Sequence, residues 1–428
     1  MMHRNKSVSA HSFAMVPRQD IPRASFRIEH ALKTTFDAGE LVPIYVDEIL
    51  PGDAFNLRMT SFARLATPIT PVMDNLHMDT FWFFVPNRLV WDNWEKFQGA
   101  QTNPGDSIDY VIPQQVSPAG GYAALSLQDY MGLPTVGQVG GANTVSHNAL
   151  PLRAYNLIYN DWFRDENLQD SLIVDKDDGP DTVTDYVLRK RGKRHDYFTS
   201  CLPWPQKGDS VALPLGTSAP IRGIGAASPY TFPDAPTAVR ESGGTGTVTY
   251  AAGRYTATGG GFYVEEDPNN PGYPGMYADL TDATAATINQ LRQSFAIQKI
   301  LEKDARGGTR YIEILRQHFG VTSPDARLQR PEYLGGGSTR IQINPIAQTG
   351  PTNTTGASTP QGNLAAMGTA LLTNNGFNQA FVEHGYIIGR ACVRADITYQ
   401  QGLRKMWSRE TRYDFYLPSL AHLGEQAV

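Results

Sequence analysis

The segment Leu76-His-Met-Asp-Thr-Phe-Trp-Phe-Phe-Val85 decides the fold of this chain, since it is the most apolar stretch in the sequence. Successive side chains of a β-strand point to opposite faces of the sheet. Trp82 and Phe84 then lie on one face, and Phe81 and Phe83 lie on the other. A strand with aromatic side chains on both faces must be covered on both. The segment therefore predicts a central strand in a two-layer sandwich, or a strand packed against a neighbouring subunit.

Further strands are predicted on both sides of this segment. Residues 41–50 and 54–65 precede it and are separated by the turn-forming Pro51-Gly52-Asp53. β-Branched and aromatic residues return in 381–399. Early and late strands with helices and long excursions between them predict a mainly β fold, one sheet sandwich closed by both ends of the chain.

Helices and loop-rich excursions are predicted between these strands. Apolar residues spaced by three and four predict helices in 152–168 and 312–319, and in a segment that starts at Thr281 as a possible N-cap and runs through Leu301. A short helix packed by its tryptophans is predicted within 88–97. Three segments rich in Gly, Pro, Asn or Thr have no sustained period, and we expect them to be loop-rich excursions or insertions: 98–149, 209–275 and 344–378.

The composition favours strands, long loops and much surface that faces other protein. Charged residues make up 18% of the chain, against roughly 25% in an average domain, and there are 40 glycines and 29 prolines. The net charge of −5 argues against a generally basic nucleic-acid-binding protein. Cys201 and Cys392 are too few for a disulfide framework and predict a reducing compartment. Because no apolar run approaches roughly 20 residues, we expect a soluble protein without membrane insertion.

Two regions are candidates for contact with nucleic acid. Residues 1–36 are predicted to be a basic, extended arm whose charges neutralise phosphates; its candidate contacts are Arg4, Lys6, Arg18 and Arg23. The second region interleaves basic and aromatic residues, a mixture suited to stacking unpaired bases beside a charged backbone. Its candidate contacts are Arg404, Lys405, Trp407 and Arg409. For the second region, an ordinary core edge with a solvated charged face is the favoured interpretation, and contact with nucleic acid is the alternative.

An acidic cluster is a weak candidate for calcium binding. Its carboxylates surround Gly179-Pro180, and carboxylate oxygens at such density can hold Ca²⁺. The four candidates are Asp175, Asp177, Asp178 and Asp181. The spacing does not match an EF-hand, so a solvated acidic turn, or a partner for the basic run 189–194, is the favoured interpretation. We predict no cofactor, with calcium as a possible exception.

Five sequence motifs together resemble those of a known protein family. They are Pro17-Arg-Gln-Asp-Ile-Pro-Arg-Ala-Ser-Phe26, Phe81-Trp-Phe-Phe-Val-Pro86, Arg194-His-Asp-Tyr-Phe-Thr-Ser-Cys-Leu-Pro-Trp-Pro-Gln-Lys-Gly208, Gly307-Gly-Thr-Arg-Tyr311 and Leu420-Ala-His-Leu-Gly-Glu-Gln-Ala-Val428. With the helix near 281–306, they resemble the major capsid protein of gokushoviruses, in the Microviridae, and the resemblance covers most of the chain. The family implies a viral jelly-roll β-sandwich of two antiparallel sheets with long helix- and loop-containing insertions, here in a capsid domain 37–428.

The resemblance also implies a function and partners. Copies of the chain are expected to form pentamers and three-fold contacts in a T=1 icosahedral shell around circular single-stranded DNA, together with other virion proteins. The insertion 209–275 is expected at the three-fold protrusion, where it contacts a host surface receptor. The protein is expected in the virion, and in the host bacterial cytoplasm during assembly. Family members run past the closing Leu-Gly-Glu-Gln-Ala-Val motif, so we expect the sequence to be truncated at Val428.

Two other functions stay open at this point. One is a jelly-roll iron-dependent oxygenase, in which His77 and Asp79 supply two ligands of a facial triad and His195, His318 or His384 supplies the third. The purely structural interpretation of that pair is a buried histidine beside a carboxylate. The other function is a carbohydrate-binding β-sandwich, suggested by the aromatic residues and long loops. The sequence has no P-loop, no Gly-x-Ser-x-Gly and no paired cysteine ligands, so we do not predict an enzyme.

Overall fold

The structure is a computed structural model in which two compact units can be distinguished. The residues that it describes are 22–68, 72–196, 204, 206–212, 221–222, 224–225, 263–264, 277–278, 287–308, 310–321, 329–350, 362, 364–397 and 402–420. The first unit comprises Met1–Arg164, Leu172–Gly192 and Leu328–Asp396, and the second comprises Asp165–Ser171, Lys193–Arg327 and Ile397–Val428.

Strands make up most of the regular structure. In chain order they are β1 (Val42–Ile49), β2 (Ala54–Arg64), β3 (Leu76–Pro86), β4 (Gln114–Val116), β5 (Ser146–Asn148), β6 (Ile221–Arg222), β7 (Ile224–Gly225), β8 (Tyr263–Val264), β9 (Tyr277–Ala278), β10 (Glu332–Arg340), β11 (Gln342–Ala347), β12 (Leu364–Ala380) and β13 (Gly385–Ala395). The helices are α1 (Trp94–Phe97), α2 (Leu127–Tyr130), α3 (Leu150–Ile158), α4 (Ile288–Arg306) and α5 (Tyr311–Phe319).

The first unit is built on two antiparallel sheets. One sheet has the strand order β1-β13-β3-β10, and the other has the order β11-β12-β2. Trp82 of β3 packs on Phe377 of β12, with ring centroids 5.8 Å apart. Phe84 packs on Phe381, just beyond β12, at 4.6 Å. The apolar layer between the sheets confirms the predicted β-sandwich, and within it the early strand β1 pairs with the late strand β13.

The second face of β3 is covered by the excursion that follows it. Phe83 and Val85 share a buried cluster with Trp91 and with residues of α3. The remaining buried members of that cluster are Val90, Leu150, Ala154, Ile158, Tyr386 and Ile388. Both faces of the strand are therefore buried, as its aromatic residues predicted, and the tryptophans after Pro86 do pack as expected.

The helices overlap the predicted segments, with differences at their ends. α3 begins two residues before the predicted 152–168 region and ends within it, and α5 ends at Gly320, whose φ of 69° suits glycine. The expectation of Thr281 as the N-cap is wrong. Thr287 caps α4 instead, because its hydroxyl accepts from the Gln290 amide and the Gln290 side chain accepts in return from the amide of Thr287. No helix in the described ranges is long and apolar enough to cross a membrane.

Much of the described part of 344–378 is strand, although the segment is predicted to be a loop-rich excursion. This segment instead contributes most of β12 and much of β11. Its small and polar residues have no strand pattern of their own. They form a strand because β11 and β2 flank β12 and satisfy its backbone on both edges. The excursion 98–149 does consist mainly of loops, with α2 and the short strands β4 and β5.

The predicted arm and insertion fall largely outside the described residues. Residues 22–36 of the arm lack regular structure and are exposed for most of their length. Within 209–275 the structure describes 209–212 and the short strands β6, β7 and β8, of which β7 pairs with β8. The placement of the insertion on a protrusion, and the jelly-roll connections of the sandwich, stay predictions.

Candidate functional site: assembly and nucleic-acid surfaces

Asp79, the carboxylate of the suggested iron pair, is held by two arginines and a serine. Its Oδ2 accepts from Arg191 Nη1 at 2.6 Å and lies 3.3 Å from Arg394 Nε, and its Oδ1 accepts from Ser338 at 2.6 Å. Burial alone would raise the pKa of Asp79, but the hydrogen bonds from Ser338 and Arg191 and the two positive charges outweigh it and lower the pKa. Both oxygens therefore serve structural contacts, with β10, β13 and the segment that carries Arg191.

Within the first unit, His77 and His384 lie far apart. His77 pairs with Asp396 at 3.3 Å. His384 precedes β13 at the end that pairs with Pro86, nine strand positions from His77, or about 30 Å. His195 and His318 belong to the second unit, where His318 contacts Asp304 at 2.5 Å. No group of three or more metal-binding side chains occurs in the part of the chain that the structure describes. His384 as third ligand was therefore wrong.

The acidic cluster surrounds a buried arginine from α3. Arg153 Nε donates to Asp181 Oδ2 at 2.8 Å, and Nη2 donates to Asp181 Oδ1 as well. The same guanidinium donates to the carbonyl oxygens of Val90 and Asp177, at 3.1 Å and 2.9 Å. The side chains of Arg153 and Asp181 are both fully buried. Among the described residues, the partner of Asp177 and Asp181 is therefore Arg153, and calcium binding at the cluster stays a prediction.

The other two aspartates have different environments. Asp178 accepts from Asn93 Nδ2 at 2.9 Å and from Trp91 Nε1 at 2.7 Å, and these bonds lower the pKa of its carboxyl. Burial and the nearby Asp181 and Asp177 raise the pKa of Asp175. The cluster therefore ties α3 to the segment after β3.

The basic and aromatic segment 402–420 is exposed in the described chain. Trp407 is 69% exposed and Tyr416 is 76% exposed, and the 3₁₀ turns Lys405–Ser408 and Arg412–Asp414 shape the backbone. Arg409 lies 5.1 Å from the centre of the Phe415 ring. This segment buries neither Trp407 nor Tyr416 among the described residues, and its contact with nucleic acid stays a prediction. Its exposed rings and cations can stack on bases and neutralise phosphates.

The candidates in the arm are mostly not described. Arg4, Lys6 and Arg18 lie outside the described residues. Arg23 is described, and its Nη1 donates to the carbonyl oxygen of Gly52 at 2.5 Å, in the turn between β1 and β2. The arm also exposes Phe26 at 81% of its surface. The arm therefore presents an exposed apolar ring as well as basic side chains.

Large apolar side chains are exposed on both units. On the first unit Phe62 of β2 and Leu371 of β12 lie directly opposite each other on the solvent face of the sheet. On the second unit α4 exposes Phe295 and α5 exposes Tyr311 and Phe319. Exposed apolar patches of this kind mark protein interfaces. The sequence analysis missed Phe62, although the strict alternation along 54–64 was a signal for its solvent-facing position.

A small groove at one end of the sandwich offers no catalytic group. Its volume is about 190 Å³, and its lining carries no side chain that can transfer a proton. The lining residues are Pro68, Val72, Ile343, Pro345, Leu364, Ala365 and Ala366.

Comparisons with known proteins identify the family. The family model described as "Capsid protein (F protein)" matches residues 14–428. The "Capsid protein VP1" of Bdellovibrio phage phiMH2K is 51% identical, over 98% of this chain and 78% of that protein. The VP1 proteins of Chlamydia phage 1 and Spiroplasma virus 4 are 41% and 38% identical, over 99% and 98% of this chain and 79% and 78% of theirs. The chain therefore belongs to the capsid protein (F protein) family of Microviridae-type phages and is a structural subunit of the virion shell.

Proposed function

We propose that copies of this chain assemble into a T=1 icosahedral shell that encloses circular single-stranded DNA. The observation that carries the proposal is the exposed apolar surface on both units, in a protein that belongs to a capsid family. A subunit with this surface gains stability by burying it against identical neighbours. Pentamers and three-fold contacts are the arrangements that the resemblance to gokushovirus capsid proteins implies.

Assembly would be driven by burial of apolar area in interfaces of obligate size. Such interfaces bury about 2,000–5,000 Å² and resemble a divided hydrophobic core. Phe26 in the arm and Phe295 in α4 are exposed anchors of the kind that such an interface uses. We expect assembly in the reducing host bacterial cytoplasm, with other virion proteins added to the shell.

The DNA would be held by weak contacts that do not read sequence. Arg4, Lys6, Arg18 and Arg23 of the arm supply charge for phosphates. The segment 402–420 adds charge together with exposed rings, through Arg404, Lys405, Trp407 and Arg409. A chain with net charge −5 then binds DNA through local basic regions.

The shell proposal is tested by examining the particles that purified full-length protein forms. We expect electron micrographs to contain uniform particles of T=1 size, and sedimentation to find little free subunit. Removing exposed anchors through Phe295→Ser with Phe319→Ser should raise the free subunit fraction, while Phe295→Leu serves as the apolar control. A monodisperse monomer of the unaltered protein at high concentration would refute the proposal.

We also propose that the insertion 209–275 contacts a host surface receptor. Its Gly-, Ala- and Thr-rich composition suits a long surface excursion. Replacing 213–262 by a short Gly/Ser linker should leave particles intact and abolish adsorption to host cells. Adsorption at the original level would exclude this role.

A further inference from the structure

The three-stranded sheet has an unusual charge composition. Its strands β2, β11 and β12 contain Arg58 and Arg64 and not one Asp, Glu or Lys, while the whole chain has a net charge of −5. Both arginines are exposed on β2. A surface with positive charge and no acid is electrostatically suited to a polyanion.

Alternation along β2 places its two arginines on one face with an aromatic ring between them. Arg58, Phe62 and Arg64 all fall on the exposed positions of the strand. Arg58 and Arg64 are six residues apart, which corresponds to about 20 Å along the strand, enough for several nucleotides. Along the exposed face of β2, an aromatic ring therefore lies between two positive charges.

The neighbouring strand completes the face with uncharged groups. Leu371 lies opposite Phe62 and Thr369 lies opposite Arg64. Asn56 of β2, two residues before Arg58, lies opposite Asn378 of β12, and both asparagines are exposed. A ring that is 71% exposed stacks on a base of any sequence, and amide side chains bond to bases and phosphates.

The charges favour DNA over a second copy of the same face. Symmetric self-association would bring four guanidiniums together without a carboxylate from these strands to pair them. A phosphate backbone supplies the anions that the face lacks.

We propose that the exposed face of the three-stranded sheet lines the inside of the shell and binds single-stranded DNA without sequence preference. The inference rests on the proposed function, in which the shell encloses DNA, and it names a binding face that neither the arm nor the segment 402–420 includes.

The charge contribution is tested in the full-length protein with the double variant Arg58→Gln/Arg64→Gln. The control is Arg292→Gln/Arg306→Gln, which removes two exposed arginines from α4. The measurement is the fluorescence anisotropy of a labelled oligothymidylate over a series of NaCl concentrations. Each lost phosphate contact lowers the slope of log affinity against log salt by about 0.7 for single strands. We expect the slope to fall by about 1.4 in the first variant and to stay unchanged in the control. An unchanged slope in the first variant would overturn the inference.

The ring contribution is tested with Phe62→Ala against Val111→Ala, a control that truncates an exposed apolar side chain outside the three-stranded sheet. Loss of base stacking should weaken oligothymidylate binding about five-fold or more, whereas the valine variant should change it by less than two-fold. Because Phe62 is exposed, its truncation leaves the core intact. Equal effects of the two variants would remove the stacking role.

Particle assembly separates the failure of this inference from failure of the proposed function. We expect Arg58→Gln/Arg64→Gln to form normal shells that contain less DNA. Loss of shells with unchanged oligothymidylate affinity would assign the face to a subunit contact and overturn the inference. If unaltered protein forms no shells, the proposed function fails, while the anisotropy measurements still decide whether the face binds single strands.

Discussion

Replacing Arg153 by methionine tests the assignment of the acidic cluster as the partner of a buried arginine. The guanidinium donates to both carboxylate oxygens of Asp181 and to two backbone carbonyl oxygens. Methionine has a similar length and no charge. The substitution therefore leaves Asp181 fully buried with the Tyr186 hydroxyl as its remaining donor.

The expected loss follows from that buried charge. Removing one partner of a buried ion pair costs about 3–5 kcal/mol, because the other charge is left uncompensated. Asp177 adds little, since its side chain is 75% exposed and water can replace the lost contact. At about 2–4 °C per kcal/mol for units of this size, Tm should fall by roughly 10 °C.

The assay is thermal unfolding of the full-length protein at fixed concentration, followed by fluorescence, in the same state of assembly. Arg292→Met on the exposed face of α4 is the matched control, and its Tm should change by about 1 °C or less. The double variant Arg153→Met/Asp181→Asn should recover part of the loss, because asparagine removes the uncompensated charge.

Two results would refute this assignment. One is a fall in Tm for Arg153→Met no larger than that of the control. The other is a rise in Tm of the unaltered protein with millimolar CaCl₂ that disappears in Asp181→Asn, which would restore a calcium site to the cluster.

Three further substitutions probe the sandwich. The pKa of Asp79 is lowered in the folded protein, so its contribution to stability is present above its unfolded pKa of about 4 and is lost as pH falls through the folded value. Asp79→Asn should therefore flatten the loss of stability below about pH 4 in acid titrations, and an unchanged profile would contradict this. Trp82→Ala should cost about 3–5 kcal/mol in denaturant unfolding by opening a cavity between the sheets, whereas the exposed Trp407→Ala should cost less than about 0.5 kcal/mol. Arg390 is fully buried with two donors unpaired among the described residues, and burial lowers its pKa to about 10. Arg390→Met should be neutral or stabilising by up to about 4 kcal/mol, and a loss above about 1 kcal/mol would show that its contacts with Tyr155 outweigh its desolvation.

The candidate surfaces were predictable to different degrees. The mixture of charge and aromatic residues around Trp407 was visible in the sequence, but its exposure was not, because apolar residues in a short segment suit a core and an interface equally. The solvent face of β2 was visible through its alternation. Its interpretation as a binding face depended on knowing that β12 pairs with it and β11 pairs with β12, and that neither strand has an acidic residue.

The sequence by itself determined the elements whose pattern is local. The aromatic residues of Leu76–Val85 required a strand covered on both faces, and the spacing in α5 with Gly320 after it required a helix that ends there. Tertiary structure alone decided the pairings between distant residues. β12 became a strand because β11 and β2 satisfy its backbone, and Asp79 became a structural anion because Arg191 and Ser338 reach it across 112 and 259 residues. Side-chain periodicity indicates which face of an element is buried but not which residues cover it. Partners that are distant in sequence are therefore identified only in the folded chain.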